Sequence, residues 1–441
     1  MGNRVAPFAV CVVVLALASI AAAQEVPVFR LTLEEAQARA LAASHRLAEA
    51  KARESVALAV VGTRESADRP TVTAIAGYTR TNHVLEFSVP GPTGPRVLYP
   101  DVPDNYHTRL DLQWPIYTGG RTDALERAAR AEAAAVTAET RVAQADLRLE
   151  VARAFWAVST ARAAVDVLEQ GVRRSQAHAA EVRQRFGVGL VPPNEIASAD
   201  AQESRARMLA IEARNQRDVS TADLARLVGL EPGQPVEPAA TLEGPGTLVQ
   251  GIEPLVADAR ASRQERTAME RRIEAANEQR AAAAAGRLPS IAVAGGVDYA
   301  RPNPRIFPRA DRWDDSWDAG INVRWSLWDG GRTAADVAQA AGLAEAARHR
   351  LAEFDSLLAL EVRQRALDID SGRAAVAAAA DGVRAASEAR RVVEERYRAG
   401  VIAQIEVTDA EFALLQAELD RTRALAGVRL SEARLARAIG R

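Results

Sequence analysis

The 441-residue sequence has one cysteine, one lysine, five histidines and few aromatic residues, which make up 5% of the chain. The cysteine, Cys11, lies in the apolar run "FAVCVVVLALASI" at 8–20. That run follows Arg4 and precedes "AAAQ", the pattern of a secretory signal peptide over 1–23, cleaved after Ala23. "FAVC" is a poor lipidation box. The expected mature chain then holds no thiol, which excludes disulfides and thiol chemistry. The lone lysine, Lys51 in "EAKAR", excludes a Walker-type phosphate loop, which needs Gly-Lys-Ser/Thr. The histidines, at 45, 83, 107, 178 and 349, form no ligand spacing and each reads as a surface residue, so no metal site is expected. There is no Gly-x-Ser-x-Gly elbow either, so neither a catalytic residue nor a cofactor is expected. A formal charge of −2 gives no reason to expect a nucleic-acid partner. Past the signal, no stretch approaches the length of apolar run that a membrane helix requires. Barrel strands give a far weaker hydropathy signal and are not excluded.

Proline is also missing where it would matter. None occurs between Arg121 and Phe186, where Gly171 is the one glycine, or between Arg332 and Arg398. Uninterrupted helices of that length are rods of about 100 Å, far longer than a globular domain needs. Leu147, Val151, Phe155, Val158, Ala161, Val165, Leu168 and Val172 recur near a 3.6-residue period. Leu358, Val362, Ala366, Ile369, Gly372, Val376, Ala379 and Val383 repeat that stripe in the second rod. Small residues along such stripes permit close helix packing.

The two rods are copies. "WPIYTGGRT" from Trp114 recurs as "WSLWDGGRT" from Trp325, an offset of 211. "RFGVGLV" (185–191) and "RYRAGVI" (396–402) keep that offset, as do "LARLVGL" (224–230) and "LARAIGR" (435–441). Upstream, "RPTV" from Arg69 aligns with "LPSI" from Leu288 at an offset of 219. The first copy therefore carries extra residues in the Pro/Gly-rich interval 87–105, as an exposed loop tolerates and a helical framework does not. The expected organisation is a first structural repeat over 24–230, a linker or equatorial segment over 231–251, and a second repeat over 252–441. Each repeat reads as a helix of about 35 residues (32–68; 252–286), with boundaries loose by a few residues. A β-hairpin follows (71–117; 290–328), then a long helix (121–186; 332–398) and a return helix (195–228; 405–439) packed on the end of the long one.

Leu110, Leu112, Trp114 and Ile116, and likewise Ile321, Val323, Trp325 and Leu327, alternate with other residues, so each strand has one apolar face. Four strands cannot close a membrane barrel, in which every backbone polar group must be paired. Several chains would share one: two give 8 strands, three give 12, and a wide pore needs on the order of 12 or more. Gly119-Gly120 and Gly330-Gly331 read as strand-to-helix junctions, with Thr122 and Thr333 as N-caps and Asp336 completing a capping box with Thr333.

With this layout, and on the tip sequences "RFGVGLV" and "RYRAGVI" and the paired aromatic-x-Gly-Gly-Arg junctions, the chain resembles the TolC-like outer membrane efflux proteins over essentially its mature length. The fold class implied is mainly α with a small β part. Long α-helical hairpins form a trimeric periplasmic α-barrel, and four strands per chain enter a shared 12-stranded outer-membrane β-barrel. The resemblance implies no enzyme but a homotrimeric, passive exit duct in a Gram-negative outer membrane. Its partners would be outer-membrane lipid, a periplasmic adaptor (membrane fusion) protein and an inner-membrane pump of RND or ABC type. Glu406 and Asp409, on one helix face, match the acidic residues of the periplasmic constriction, where six carboxylates would prefer cations. Tyr397 matches a gate tyrosine; Asn194 and Glu195 match polar and acidic positions after the first tip. Ile402 stands where the family has an arginine, which points to an apolar closure by Val401 and Ile402. Gly187, Val188, Gly189 and Leu190, with Ala399, Gly400 and Val401, resemble adaptor-docking tips. The competing reading is a non-channel periplasmic coiled-coil structural or adaptor protein. The tryptophans Trp114, Trp325 and Trp328 favour membrane insertion over it, because aromatic residues concentrate at membrane interfaces.

Overall fold

The computed structural model describes residues 28–231, 233–244 and 251–441. The expected signal peptide, 1–23, lies outside them, as does part of the expected linker. The chain opens with β1 (Phe29–Leu31), α1 (Leu33–Ala43) and α2 (His45–Glu65). The expected single first helix is thus two. Ser44 has extended backbone (φ −72, ψ 116), ends α1, and caps α2 by accepting a hydrogen bond from the Leu47 amide. The break is repeated 219 residues on, where Arg263 (φ −67, ψ 118) separates α5 (Ile252–Ser262) from α6 (Gln264–Ala284). The start of α1 is a capping box: Thr32 Oγ1 accepts from Glu35 N at 3.2 Å, and Glu35 accepts from Thr32 N at 2.8 Å.

After α2 come β2 (Thr71–Arg80), a small hairpin of β3 (Phe87–Val89) and β4 (Arg96–Tyr99), β5 (Asp104–Tyr117), α3 (Arg121–Gly187) and α4 (Pro193–Leu227). The hairpin occupies the interval read from sequence as loop. β6 (Val236–Pro238) pairs in parallel with β1, an association that no local pattern announced. The second repeat contributes β7 (Ser290–Arg301), β8 (Asp314–Arg324), α7 (Arg332–Arg398) and α8 (Gln404–Ala438). β8 ends at Arg324, short of the expected Trp328. Trp325 instead turns its indole N–H onto Arg287 O at 3.1 Å, as Trp114 does onto Asp68 O at 3.1 Å. Each tryptophan thereby ties the end of a hairpin to the turn that precedes it.

The four long strands form one antiparallel sheet in the order β2-β5-β7-β8. The helices also lie in rows. On one side of the middle of the chain the order is α2, α3, α6, α7; on the other it is α4, α3, α8, α7. α3 is therefore flanked on both sides and α7 on one. Repeat geometry makes the consequence measurable: α3 and α7 both have 67 residues, yet α3 buries twenty-two of them and α7 six. The apolar cores sit at the level where the helices divide. Phe155, Val151, Val158 and Leu224 pack with Ala36 and Ala40 in the first repeat. Leu358, Val362, Ala366 and Ile369 pack with Ala259 and Leu435 in the second. Closer to the sheet, Ala135, Ala138 and Ala268 let α3 and α6 approach closely, since only methyl groups separate the backbones.

Candidate functional site

Both helical tips end in the same motif. Leu190 N donates to Arg185 O at 2.9 Å and Gly189 N to Phe186 O at 2.9 Å; Val401 N donates to Arg396 O at 3.0 Å and Gly400 N to Tyr397 O at 2.9 Å. Gly189 (φ 78) and Gly400 (φ 72) take the left-handed conformation that this C-cap requires. The cap accounts for the glycines but not for what they display: Val188, Leu190 and Val401 are exposed although apolar. Gly187 and Ala399 are exposed at the ends of the helices.

Behind the tips the two repeats meet. The Tyr397 hydroxyl on α7 donates to Glu195 Oε2 on α4 at 3.2 Å, and Tyr397 is only 4% exposed. Arg185 on α3 lies over the ring at 4.5 Å and donates to the Tyr397 carbonyl at 3.0 Å. Burial, then the Glu195 carboxylate, pushes the Tyr397 phenol up to about 12, so it stays a donor at any physiological pH. The tip thus carries a hydrogen bond between the two repeats beside the apolar Val401 and Ile402. Ile402 is half-buried, and Asn194 is exposed. Arg185 was not singled out from sequence, and His178, expected at the surface like the other histidines, is buried instead, its ring 5.6 Å from that of Tyr397. Their partners are about two hundred residues away, and only the duplicated tip sequences hinted that the two tips would be neighbours. Glu406 and Asp409 are exposed on α8, and neither pairs with a basic group among the described residues.

The sheet has two chemically different faces. Val72, Leu110, Leu112, Trp114, Val293, Val297, Trp317, Ile321 and Val323 occupy one face by register, and most are exposed; Trp317 is 74% accessible. The opposite face carries Arg109, which joins three strands by bonding Asp111 at 2.8 Å, Asp298 at 2.5 Å and Asp318 at 3.0 Å. Gly296 makes room for this: a Cβ there would stand 2.6 Å from an Arg109 nitrogen. Apolar residues on one face and ion pairs on the other is the alternation of a strand with lipid on one side and a polar lumen on the other.

At the junctions, Gly119 (φ 66), Gly120 (φ 79), Gly330 (φ 66) and Gly331 (φ 89) are all left-handed. Gly120 and Gly331 are themselves the N-cap residues of α3 and α7, so Thr122 and Thr333 are not. Each threonine sits one residue inside its helix, where its amide needs an acceptor. Thr118 Oγ1 supplies one to Thr122 N at 3.3 Å, and the Asp329 carboxylate supplies one to Thr333 N at 2.9 Å. Asp336 closes no capping box; its carboxylate lies 3.8 Å from Arg332.

Fold and site together define a class: a chain built twice from long helical hairpins, carrying a small open-edged sheet with an apolar face. The chain belongs to the outer membrane efflux protein family, whose model matches residues 37–230 and 255–441. It is 26% identical over 228 residues to protein CyaE of Bordetella pertussis; the match covers 50% of this chain and 46% of that protein, so the chain spans about half the length of that curated relative. Among solved structures it is similar to CusC (TM-score 0.79, 17% identity, 94% of this chain and 93% of that one), described in connection with transmembrane channel formation. It is also similar to the outer membrane protein VceC of Vibrio cholerae (TM-score 0.76, 21%, 92% and 96%) and the MtrE outer membrane channel of Neisseria gonorrhoeae (TM-score 0.75, 20%, 92% and 88%).

Proposed function

We propose that three copies of this chain form a passive exit duct in a Gram-negative outer membrane, serving a tripartite efflux or type I secretion system. The observation that carries this reading is the pair of unfinished edges. β2 and β8 each lack a neighbour on one side, and the sheet exposes a full apolar face. α7 leaves Leu343, Leu357, Leu360 and Leu367 exposed, while α2 exposes Val56, Leu58 and Val60 and α4 exposes Met208 and Ile211. Within the chain, α3 is covered on its second side by α6 and α8 of the other repeat. By the repeat's own geometry, α7 requires α2 and α4 of a second copy. Gly119 packs at close range on Leu288 of the second repeat, while its counterpart Gly330 meets nothing. These contacts are head-to-tail and close a ring; three copies supply 12 strands, enough for a wide pore. No helix among the described residues is long and apolar enough to cross a membrane. The membrane part of the duct is the shared sheet.

In this duct the rods cross the periplasm. The exposed Val188, Leu190 and Val401 dock a periplasmic adaptor linked to an inner-membrane pump of RND or ABC type. Glu406 and Asp409 line the entrance and favour cations, and Tyr397 with Glu195 helps hold it shut. Cysteine pairs placed between α7 and α2, at positions such as Leu343 and Val56, test the ring: screened along the two helices, they are expected to cross-link into covalent trimers in whole cells. A chain that stays monomeric and soluble in the periplasm overturns the reading in favour of a non-channel coiled-coil protein.

A further inference from the structure

Among the described residues, four buried side-chain polar atoms have no hydrogen-bond partner, and two of them, His178 Nε2 and Arg390 Nε, belong to residues lining one cavity behind the tip. The cavity, of about 280 Å³, lies between α3, α7 and α8. A protein interior rarely leaves such groups unpaired without a reason. His178 is 8% exposed and packs on the ring of Tyr397 from α3, the helix that also carries Arg185 over that ring. A neutral imidazole is compatible with this packing. An imidazolium would be a second cation beside the tyrosine, buried in a space already crossed by arginines.

We propose that His178 is a proton sensor for the tip: when it takes up a proton from the periplasm, the packing around Tyr397 loosens and the bond from Tyr397 to Glu195 is released. The charges around it come from every neighbouring helix. α3 contributes Glu181, Arg173, Arg174 and Arg185, and α4 contributes Glu195. α7 contributes Glu394, which is paired with Arg390 and lies 3.8 Å from Arg398. α8 contributes Glu411, whose carboxyl is itself raised by burial. For His178, burial is the largest influence and holds its basicity below the ordinary value; the carboxylates of Glu181 and Glu394 oppose that, and Arg185 reinforces it. The sign follows. The closed tip binds the proton more weakly than an open, hydrated one does. The stability that neutral His178 gives the closed tip is complete above the ordinary histidine range and is lost as pH falls below about 6.5. Acidification opens the duct.

This inference rests on the gate reading of Tyr397 and Glu195, and the experiment separates the two. The full chain is reconstituted in planar bilayers, and open probability is recorded at pH 7.5 and 5.5 for the parent, His178→Gln, Tyr397→Phe and Glu195→Gln. The parent is expected to open at least severalfold more often at pH 5.5, and His178→Gln, which leaves every carboxylate in place, to lose that gain. If His178→Gln opens with acid as the parent does, the response belongs to the carboxylates and the proposal is wrong. If the parent shows no acid response, it is also wrong. If Tyr397→Phe and Glu195→Gln leave opening at pH 7.5 unchanged, the gate reading fails first. A trimer of His178→Gln that melts at the parent's temperature shows that the loss is not one of folding.

Discussion

Replacing Tyr397 by phenylalanine removes one hydroxyl and leaves the ring between His178 and Arg185. The lost bond runs to a carboxylate at 3.2 Å from a residue that is 4% exposed. Hydrogen bonds to charged groups contribute about 1.5–3 kcal/mol when buried, and Glu195, half-exposed, places this one at the lower end, about 1.5 kcal/mol. In the proposed trimer three chains would act on one entrance, so the closed state would lose roughly 4.5 kcal/mol, or about three orders of magnitude in the closed-to-open ratio. Single-channel recording at neutral pH reads this directly as a duct that passes from rarely open to mostly open. Glu195→Gln keeps an acceptor without the charge and is expected to shift the ratio less than Tyr397→Phe. Open probabilities of the phenylalanine variant equal to the parent's would show that the bond does not hold the entrance; a Glu195→Gln variant that behaves like the parent would show that the charge is immaterial, and one that opens as far as Tyr397→Phe would show that the charge carries the whole bond.

Other perturbations test other parts of the chain. If Glu406 and Asp409 line the entrance of the proposed trimer, Glu406→Ala with Asp409→Ala removes six carboxylates from it, and the cation preference measured from reversal potentials should fall toward none; unchanged selectivity would place these residues away from the pore. Gly120→Val with Gly331→Val forces side chains onto left-handed backbone at all six junctions, and no heat-modifiable trimer is expected in outer membranes. Gly296→Val drives a side chain into the Arg109 guanidinium, breaking its bonds to Asp298 and Asp318; lower trimer yield is expected, rescued in part by Arg109→Ala. Phe155→Ala opens the core at the level where the helices divide, and the melting temperature should drop by the equivalent of about 3–5 kcal/mol.

The parts of this molecule legible in the sequence are those fixed locally and written twice. The absence of proline in two stretches of nearly equal length announced α3 and α7, and the Gly-Gly pairs marked a backbone conformation that few other residues adopt. What escaped depends on distance along the chain or on competition between similar local signals. Ser44 and Arg263 break helices with no glycine or proline at or beside the break, and only the extended backbone of those residues reveals it. Thr122 and Thr333 looked like caps because the glycines before them have no side chain to offer. The acceptors came from Thr118 and Asp329, on the far side of the bend. The tip was read from one repeat at a time. Its contacts join Tyr397 to Glu195, Arg185 and His178, across an interface between repeats that no periodicity describes. The same limit hid Arg109, whose role rests on strands from both copies.

The central claim is that this chain is one sector of a closed, membrane-embedded ring. Native mass spectrometry of the protein released by detergent from purified outer membranes tests it most directly. The account predicts a particle of three chains that persists until the detergent is removed or the sample is heated. A single chain, or a particle recovered without detergent from the soluble periplasmic fraction, would contradict it.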